Sequence, residues 1–139
     1  MKMTRLFTAE NSHLICLSTN EQCSPIVREV KWSEVESRES EFNEEFLASL
    51  REELKKNEER GEFFVIVPVF DKKIETEAQK KDGVAAMKHV ARRIKDCASV
   101  VGFAVPACLD ESYFVSELSE KHQHYCFLTK NGWISLEKN

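Results

Sequence analysis

Glycine and proline are scarce in this chain, 4 and 3 of its 139 residues, and the scarcity removes whole classes of chemistry. A phosphate cradle needs glycines at fixed spacing so that backbone N–H groups can close on the anion. With only Gly61, Gly83, Gly102 and Gly132, neither G-x-G-x-x-G nor a P-loop can be written. The usual dinucleotide and nucleoside-triphosphate enzymes are excluded, whereas flavin- or sugar-type ligands are not. Positive charge is short as well: 20 Lys and Arg against 24 Asp and Glu leave a formal net charge of -4. Such a chain offers no overall basic field to gather nucleic acid or an anionic membrane surface, and neither is expected as a partner.

No apolar run approaches the roughly 20 residues of a membrane-spanning helix. Residues 1–6 lack the apolar segment and cleavage site of a secretory signal. The 5 cysteines are an odd set, Cys16, Cys23, Cys97, Cys108 and Cys126, and no two form C-x-x-C. Most lie in or beside apolar runs, where cysteine behaves as a small hydrophobe, so reduced thiols in a cytoplasm are expected, with no cofactor.

What is present is an alternation of short apolar runs with amphipathic stretches. Residues 13–18 (HLICLS) and 26–32 (IVREVKW) read as strands, too close for a crossover helix between them, so they form a hairpin or lie apart. Phe42, Phe46, Leu47, Leu50 and Leu54 recur at helical spacing across residues 41–60, and Gly61 stops that helix. Residues 63–70 (FFVIVPVF) are apolar throughout, as a strand covered on both faces should be, with Pro68 suggesting a bulge or an end. Asp82 is placed to cap a helix over residues 83–96, whose buried stripe is Val84, Met87, Val90, Ala91 and Ile94.

Residues 99–106 (SVVGFAVP) form another strand, and Asp110 can cap a third helix with Phe114, Val115 and Leu118 inward. Residues 124–130 and 133–136 flank Asn131-Gly132, a strong hairpin signal. The order is β-β-α-β-α-β-α-β-β in a single domain over residues 1–139: a mixed, mainly parallel α/β sheet flanked by helices, open or curled into part of a barrel. Strands 63–69 and 100–105, joined by a right-handed helix, should be parallel neighbours at its centre.

In such sheets ligands bind outside the carboxyl ends of the strands. Arg28, Trp32, Lys72 and Lys130 are the ligand-binding candidates, the tryptophan as a stacking platform. Asp71, Cys108, Asp110 and Glu111 are the catalytic candidates, as acid, base or nucleophile. Each has a plain alternative: Asp110 a helix cap, Asp71 and Lys72 solvated loop residues, Cys108 a packed thiol without a histidine base, and Trp32 the end of a strand. His122, His124 and Cys126 are suitable metal-ligand types, but they enter their strand at its amino end and no further cluster completes a tetrahedral set, so no metal is expected.

Met87-Lys88-His89-Val90-Ala91-Arg92-Arg93-Ile94-Lys95-Asp96 followed by Val100-Val101-Gly102-Phe103 resembles the "A-x-R-Y/I-K-D, then V-I-G-Y" stretch before the fourth strand of the cellulase-type glycoside hydrolases. Val27-Arg28 with Trp32 resembles their second-strand V-R-x-P-x-x-W, one residue short. The likeness spans residues 27–105 and implies the front half of an eightfold β/α barrel. In that family the fourth strand ends in Asn-Glu-Pro, whose Glu is the general acid/base; here the strand ends Ala104-Val105-Pro106. The histidine expected after the third strand is replaced by Val69-Phe70-Asp71. With 139 residues against the roughly 250 of a whole barrel, the resemblance implies a truncated, catalytically silent relative.

These readings converge on a small, non-catalytic, cytoplasmic binding or interaction protein. The alternative is a small hydrolase with its site at the carboxyl ends of the parallel strands. The apolar hairpin regions, Leu14, Ile15 and Leu17 near the start and Trp133, Ile134 and Leu136 near the end, suggest pairing with a second copy in a homodimer.

Overall fold

A computed structural model describes residues 6–38 and 41–136. In chain order the elements are β1 (Phe7–Glu10), β2 (His13–Cys16), β3 (Glu21–Gln22), β4 (Ile26–Lys31), α1 (Trp32–Val35), β5 (Glu36–Arg38), β6 (Glu41–Phe42), α2 (Glu44–Glu59), β7 (Phe64–Val69), α3 (Glu77–Arg93), β8 (Val100–Ala104), α4 (Glu111–Ser119), β9 (Cys126–Thr129) and β10 (Gly132–Ser135). The main sheet has the order β10-β9-β8-β7-β4, with β4, β7, β8 and β9 parallel and β10 antiparallel. A separate antiparallel sheet holds β1, β2 and β3, and β5 pairs with β6. The protein is therefore a mixed α/β fold, and β7 and β8 are adjacent parallel strands inside the main sheet, as their uninterrupted apolar runs predict.

Because β4, β7, β8 and β9 are added in sequence order, successive right-handed crossovers place α2, α3 and α4 on the same face of the sheet. Leu47, Leu50 and Leu54 of α2, Val84, Met87 and Val90 of α3, and Phe114 and Leu118 of α4 are buried there against Val30, Ile66, Phe103 and Phe127. Alternation along β9 turns Cys126 to the opposite face. There the small sheet covers it, with Phe7 and Leu14 packed on Val101 and Cys126. Two buried hydroxyls are satisfied by backbone carbonyls: the Tyr125 hydroxyl donates to the Ala91 carbonyl at 2.8 Å, and Ser99 Oγ donates to the Leu54 carbonyl at 2.8 Å.

Several boundaries differ from the sequence expectation for identifiable reasons. The strands at 13–18 and 26–32 lie apart, in different sheets. β1, not anticipated, pairs with β2 through a tight turn in which Asn11 and Ser12 both have positive φ, 52° and 69°. Serine there carries none of the glycine signature that marks such turns in sequence. The helix expected from residue 83 starts six residues earlier, at Glu77, because Thr76 and Gln79 form a capping box: Gln79 N donates to Thr76 Oγ1 at 3.1 Å, and Thr76 N donates to Gln79 Oε1 at 3.0 Å. Asp82 is then an interior helical residue and not a cap. Asn43, accepting from Phe46 N, delays α2 to Glu44.

Pro68 neither ends nor bulges β7, which runs on to Val69. Phe64 N donates towards β8, to the Ser99 carbonyl, so by alternation the missing N–H of Pro68 also faces β8. Register with β8 extends only to Ile66↔Phe103, whereas register with β4 continues to Lys31↔Val69. The ladder with β8 thus stops short of the proline, whose missing N–H faces that strand, while the ladder with β4 runs past it. The irregularity lies at the other end, where Phe64 pairs with Val100 but Val65 pairs with Gly102.

The terminal hairpins pack on one another. Leu14 is buried and Trp133 half-buried in the same cluster, Trp133 N donates to the Ser12 carbonyl at 2.9 Å, and Ala9 N donates to Ser135 Oγ at 3.0 Å. Much of the apolar surface expected to meet a second copy is thus occupied by the chain itself. Leu17, Ile26 and Val27 stay exposed.

Candidate functional site

The carboxyl ends of the parallel strands hold the sequence candidates, but in two groups. After β4 and β7, Trp32, Ser33 and Glu36 meet Phe70, Asp71 and Lys72. Trp32 is buried, tilted against Phe70 with ring centroids 5.3 Å apart, and its Nε1 donates to Glu36 Oε1 at 2.8 Å. Lys72 Nζ donates to the same Oε1 at 3.1 Å and to the Glu36 carbonyl at 2.9 Å, and stands 5.0 Å from the centre of the Trp32 ring. Glu36 is 8% exposed, so this buried carboxylate is matched by a cation and an indole donor, as its desolvation requires. Trp32 presents no open ring for a sugar to stack on, and Lys72 is held by Glu36.

Asp71 accepts from Ser33 N at 3.0 Å through Oδ1 and from the Ser33 hydroxyl through Oδ2. Partial burial works against its ionisation. The Ser33 hydroxyl and backbone N–H outweigh that, with help from the charge of Lys31, and its pKa falls below the ordinary carboxylate value. A carboxyl with a depressed native pKa stabilises the fold fully above its unfolded-state pKa, and the contribution disappears as pH falls through the native one. Wild type is therefore expected to melt higher than Asp71→Asn at neutral pH, with the gap closing as pH falls below about 4. Melting curves measured across that range check it; a gap independent of pH would show that the Ser33 bonds do not favour the charged form.

The second group follows β8. Asp110 is the cap of α4, accepting from Tyr113 N at 3.0 Å, with Glu111 exposed in the first turn and Cys108 exposed in the preceding turn. Among the described residues no hydrogen bond or ion pair joins Asp71 or Lys72 to Cys108, Asp110 or Glu111. β8 ends in Ala104, followed by Val105 and Pro106, with no carboxylate at the sheet centre. Arg28 points to the helical side and forms a bidentate pair with Glu53 of α2, at 2.7 and 3.2 Å. Lys130 is exposed in the β9–β10 turn. The carboxyl-end rule reaches Trp32-Ser33 in the sequence but not the role of Ser33, and it misses Glu36; both roles arise only when the loop after β7 folds back on α1.

The helical side carries a different feature, an open cleft of about 490 Å³ between α2 and the carboxyl end of α3. Arg51, Arg92, Arg93 and Lys95 line it together with Glu52 and Asp96. Arg51 Nε donates to Asp96 Oδ1 at 3.2 Å, and its guanidinium, followed by the charge of Lys55, holds Asp96 below the ordinary carboxylate value. Arg93 pairs with Glu44 at 3.4 Å. Arg92 and Lys95 are exposed and, among the described residues, form no ion pair. Beside them His122 has a lowered pKa, through burial first and then through Lys95, Arg92 and Lys121. Four cations thus line the cleft against two carboxylates, Glu52 and Asp96. Read from the sequence, Arg92, Arg93 and Lys95 form only the wet side of a helix; what the sequence hides is that α2 stands opposite them.

Compared with known proteins, the chain matches no family model, no curated protein and no solved structure. Among the described residues no helix is long and apolar enough to cross a membrane. Fold and site together define a small α/β protein with a sequentially wound parallel sheet, helices on one face, and a β-layer on the other.

Proposed function

We propose that this chain is a non-catalytic, cytoplasmic binding protein whose ligand is a small polyanion, held in the cleft between α2 and α3. The observation that carries the reading is that the reactive groups at the carboxyl rim are engaged within the fold or stand apart: Asp71 with Ser33, Lys72 with Glu36, Asp110 as a cap, and Cys108 without a base. The cleft, by contrast, offers two cations with no ion pair among the described residues, beside two whose orientation Asp96 and Glu44 fix, an arrangement suited to several phosphate oxygens at once. Kinship with the barrel glycosidases, in a form without their rim carboxylates, belongs to the same proposal and rests on the resemblance over residues 27–105.

Tripolyphosphate is the probe. Titrated calorimetrically at low salt, it is expected to bind, to weaken as salt rises, and to lose about tenfold in affinity in the Arg92→Gln/Lys95→Gln double variant. Equal affinity in the variant would remove the cleft from the reading. Turnover of an aryl glycoside or aryl ester that disappears with Asp71→Asn, Asp110→Asn, Glu111→Gln or Cys108→Ser would replace the reading with the hydrolase.

A further inference from the structure

The cysteines divide into two kinds. Cys97 is buried, with its thiol pushed up to about 11 by burial, and Cys126 is buried under the small sheet, while Cys108 stands alone on the surface. Cys16 and Cys23 are different: both are half-buried, Cys16 ends β2 and Cys23 follows β3 directly, and both pack at the margin of the same apolar cluster. The register pairs Cys16 with Glu21 and Ile15 with Gln22, and Cys23 N donates to the Leu14 carbonyl at 2.9 Å. Cys23 therefore stands opposite Leu14 and diagonal to Cys16. Leu14 and Cys16 share a face of β2, so both thiols project to the same side of the ladder.

We propose that Cys16 and Cys23 form a reversible dithiol, which a hydroperoxide oxidises to a disulfide joining β2 to the end of β3. Around Cys16 the chain curls into a polar turn: Asn20 N donates to the Cys16 carbonyl at 2.7 Å, and Ser18 Oγ lies 3.3 Å from the sulfur. Hydrogen bonds from Ser18 and Thr19 favour the thiolate and lower the Cys16 pKa, whereas burial first, and then the nearness of Cys16, raises that of Cys23. The roles divide accordingly. The Cys16 thiolate attacks the peroxide, the O–O bond breaks, an alcohol (water, from hydrogen peroxide) leaves with one proton, and Cys16 becomes a sulfenic acid. The Cys23 thiol then attacks that sulfur; the S–O bond breaks, the S–S bond forms, and the hydroxyl leaves as water with the Cys23 proton. Two thiols and one hydroperoxide yield one disulfide, one alcohol and one water.

Diagonal cross-strand neighbours stand about 7–8 Å apart at Cα, slightly beyond the span of a relaxed disulfide. Closure must draw the chain at Cys23 inward. β3 is only two residues long and Cys23 lies past its end, next to Ser24-Pro25, so little ladder resists that movement. A bond closed against such a displacement is readily reduced again, which suits a reversible modification.

The test is mass mapping of the whole chain after stoichiometric hydrogen peroxide. Cleavage after Glu10, Glu21 and Glu29 separates the two cysteines in reduced protein, giving peptides 11–21 and 22–29. Oxidised protein is expected to keep these peptides joined, about 2 Da below their summed mass, and to release them with dithiothreitol. Cys23→Ser should instead accumulate a sulfenic acid at Cys16 that dimedone traps, and Cys16→Ser should suppress both products. Separate peptides after oxidation of the wild type, or a bond from either residue to Cys97, Cys108 or Cys126, overturns the proposal whatever the variants do.

Discussion

Replacing Ile66 by Asp is expected to abolish cooperative folding. Ile66 is fully buried in β7, between Arg28 of β4 on one side and Phe103 of β8 on the other, and its side chain belongs to the core under the three long helices. A carboxylate at that position has one neighbouring cation, Arg28, and that guanidinium is already held by both oxygens of Glu53. The new carboxylate must either remain charged at several kcal/mol of desolvation or take up a proton and still leave polar atoms unsatisfied. Added to the lost apolar contacts, the penalty exceeds about 5 kcal/mol, comparable with the whole stability of a domain of this size. Ile66→Val, which keeps shape and polarity, should cost only about 1 kcal/mol. Thermal melts followed by circular dichroism separate the two, and a soluble Ile66→Asp protein with a sharp transition would place β7 outside the core.

That position was legible from sequence because residues 64–69 are apolar on both alternations, which only a strand covered on both faces can tolerate. The same logic placed β8 beside it and read the stripes of α2, α3 and α4. Elements whose signal is a pairing were less legible. β1 is four residues long, its turn carries serine where glycine usually stands, and β3, β5 and β6 have two or three residues each, too few for any periodicity to register. The start of α3 was in principle readable, since Thr76 and Gln79 have the spacing of a capping box; Asp82, read as a cap ahead of Gly83, masked it. Gly83 is instead a contact residue: a Cβ there would lie 2.6 Å from Cε2 of Phe70. A glycine inside a helix can mark close packing as well as an end.

The site was legible in position more than in content. The rule that ligands gather at carboxyl ends of strands led to Trp32, Asp71, Lys72 and Asp110, and each does stand at that rim. Their partners could not be read. Glu36 looks like one acidic residue in a charged stretch, and only the fold buries it between the Trp32 indole and the Lys72 amine. The basic cleft lies on the helical side, away from the rim, where the same rule gave no reason to search. Its parts are separated by about one crossover in sequence, Arg51 on α2 and Arg92 to Asp96 at the end of α3, so that their juxtaposition is a property of helix packing alone.

Gly102→Ala is expected to be nearly as damaging as the charge in β7, although it adds a single methyl group. A Cβ on residue 102 would collide with the carbonyl oxygen of Cys126 and fall 2.6 Å from its carbon and 2.8 Å from its nitrogen, all backbone atoms of β9. No rotamer change relieves such a clash, since the obstacle is the neighbouring strand and not a flexible side chain. The register explains the close approach: between the pairs Phe64↔Val100 and Val65↔Gly102, β8 carries one extra residue, Val101. This bulge turns the Gly102 Cα towards β9, a role for which absence of a side chain is the qualification. Alanine must push β9 outward, and with it the β10 hairpin that the small sheet packs against, at a cost of about 3 kcal/mol or more. Gly61 supplies the control. It has a φ of 73°, and a methyl group added there would meet nothing within 4 Å, so Gly61→Ala tests backbone conformation without collision and should cost only about 1 kcal/mol. Urea denaturation of the two variants distinguishes steric from conformational loss. A Gly102→Ala protein within about 0.5 kcal/mol of wild type would mean that β8 and β9 are not pressed together at this point.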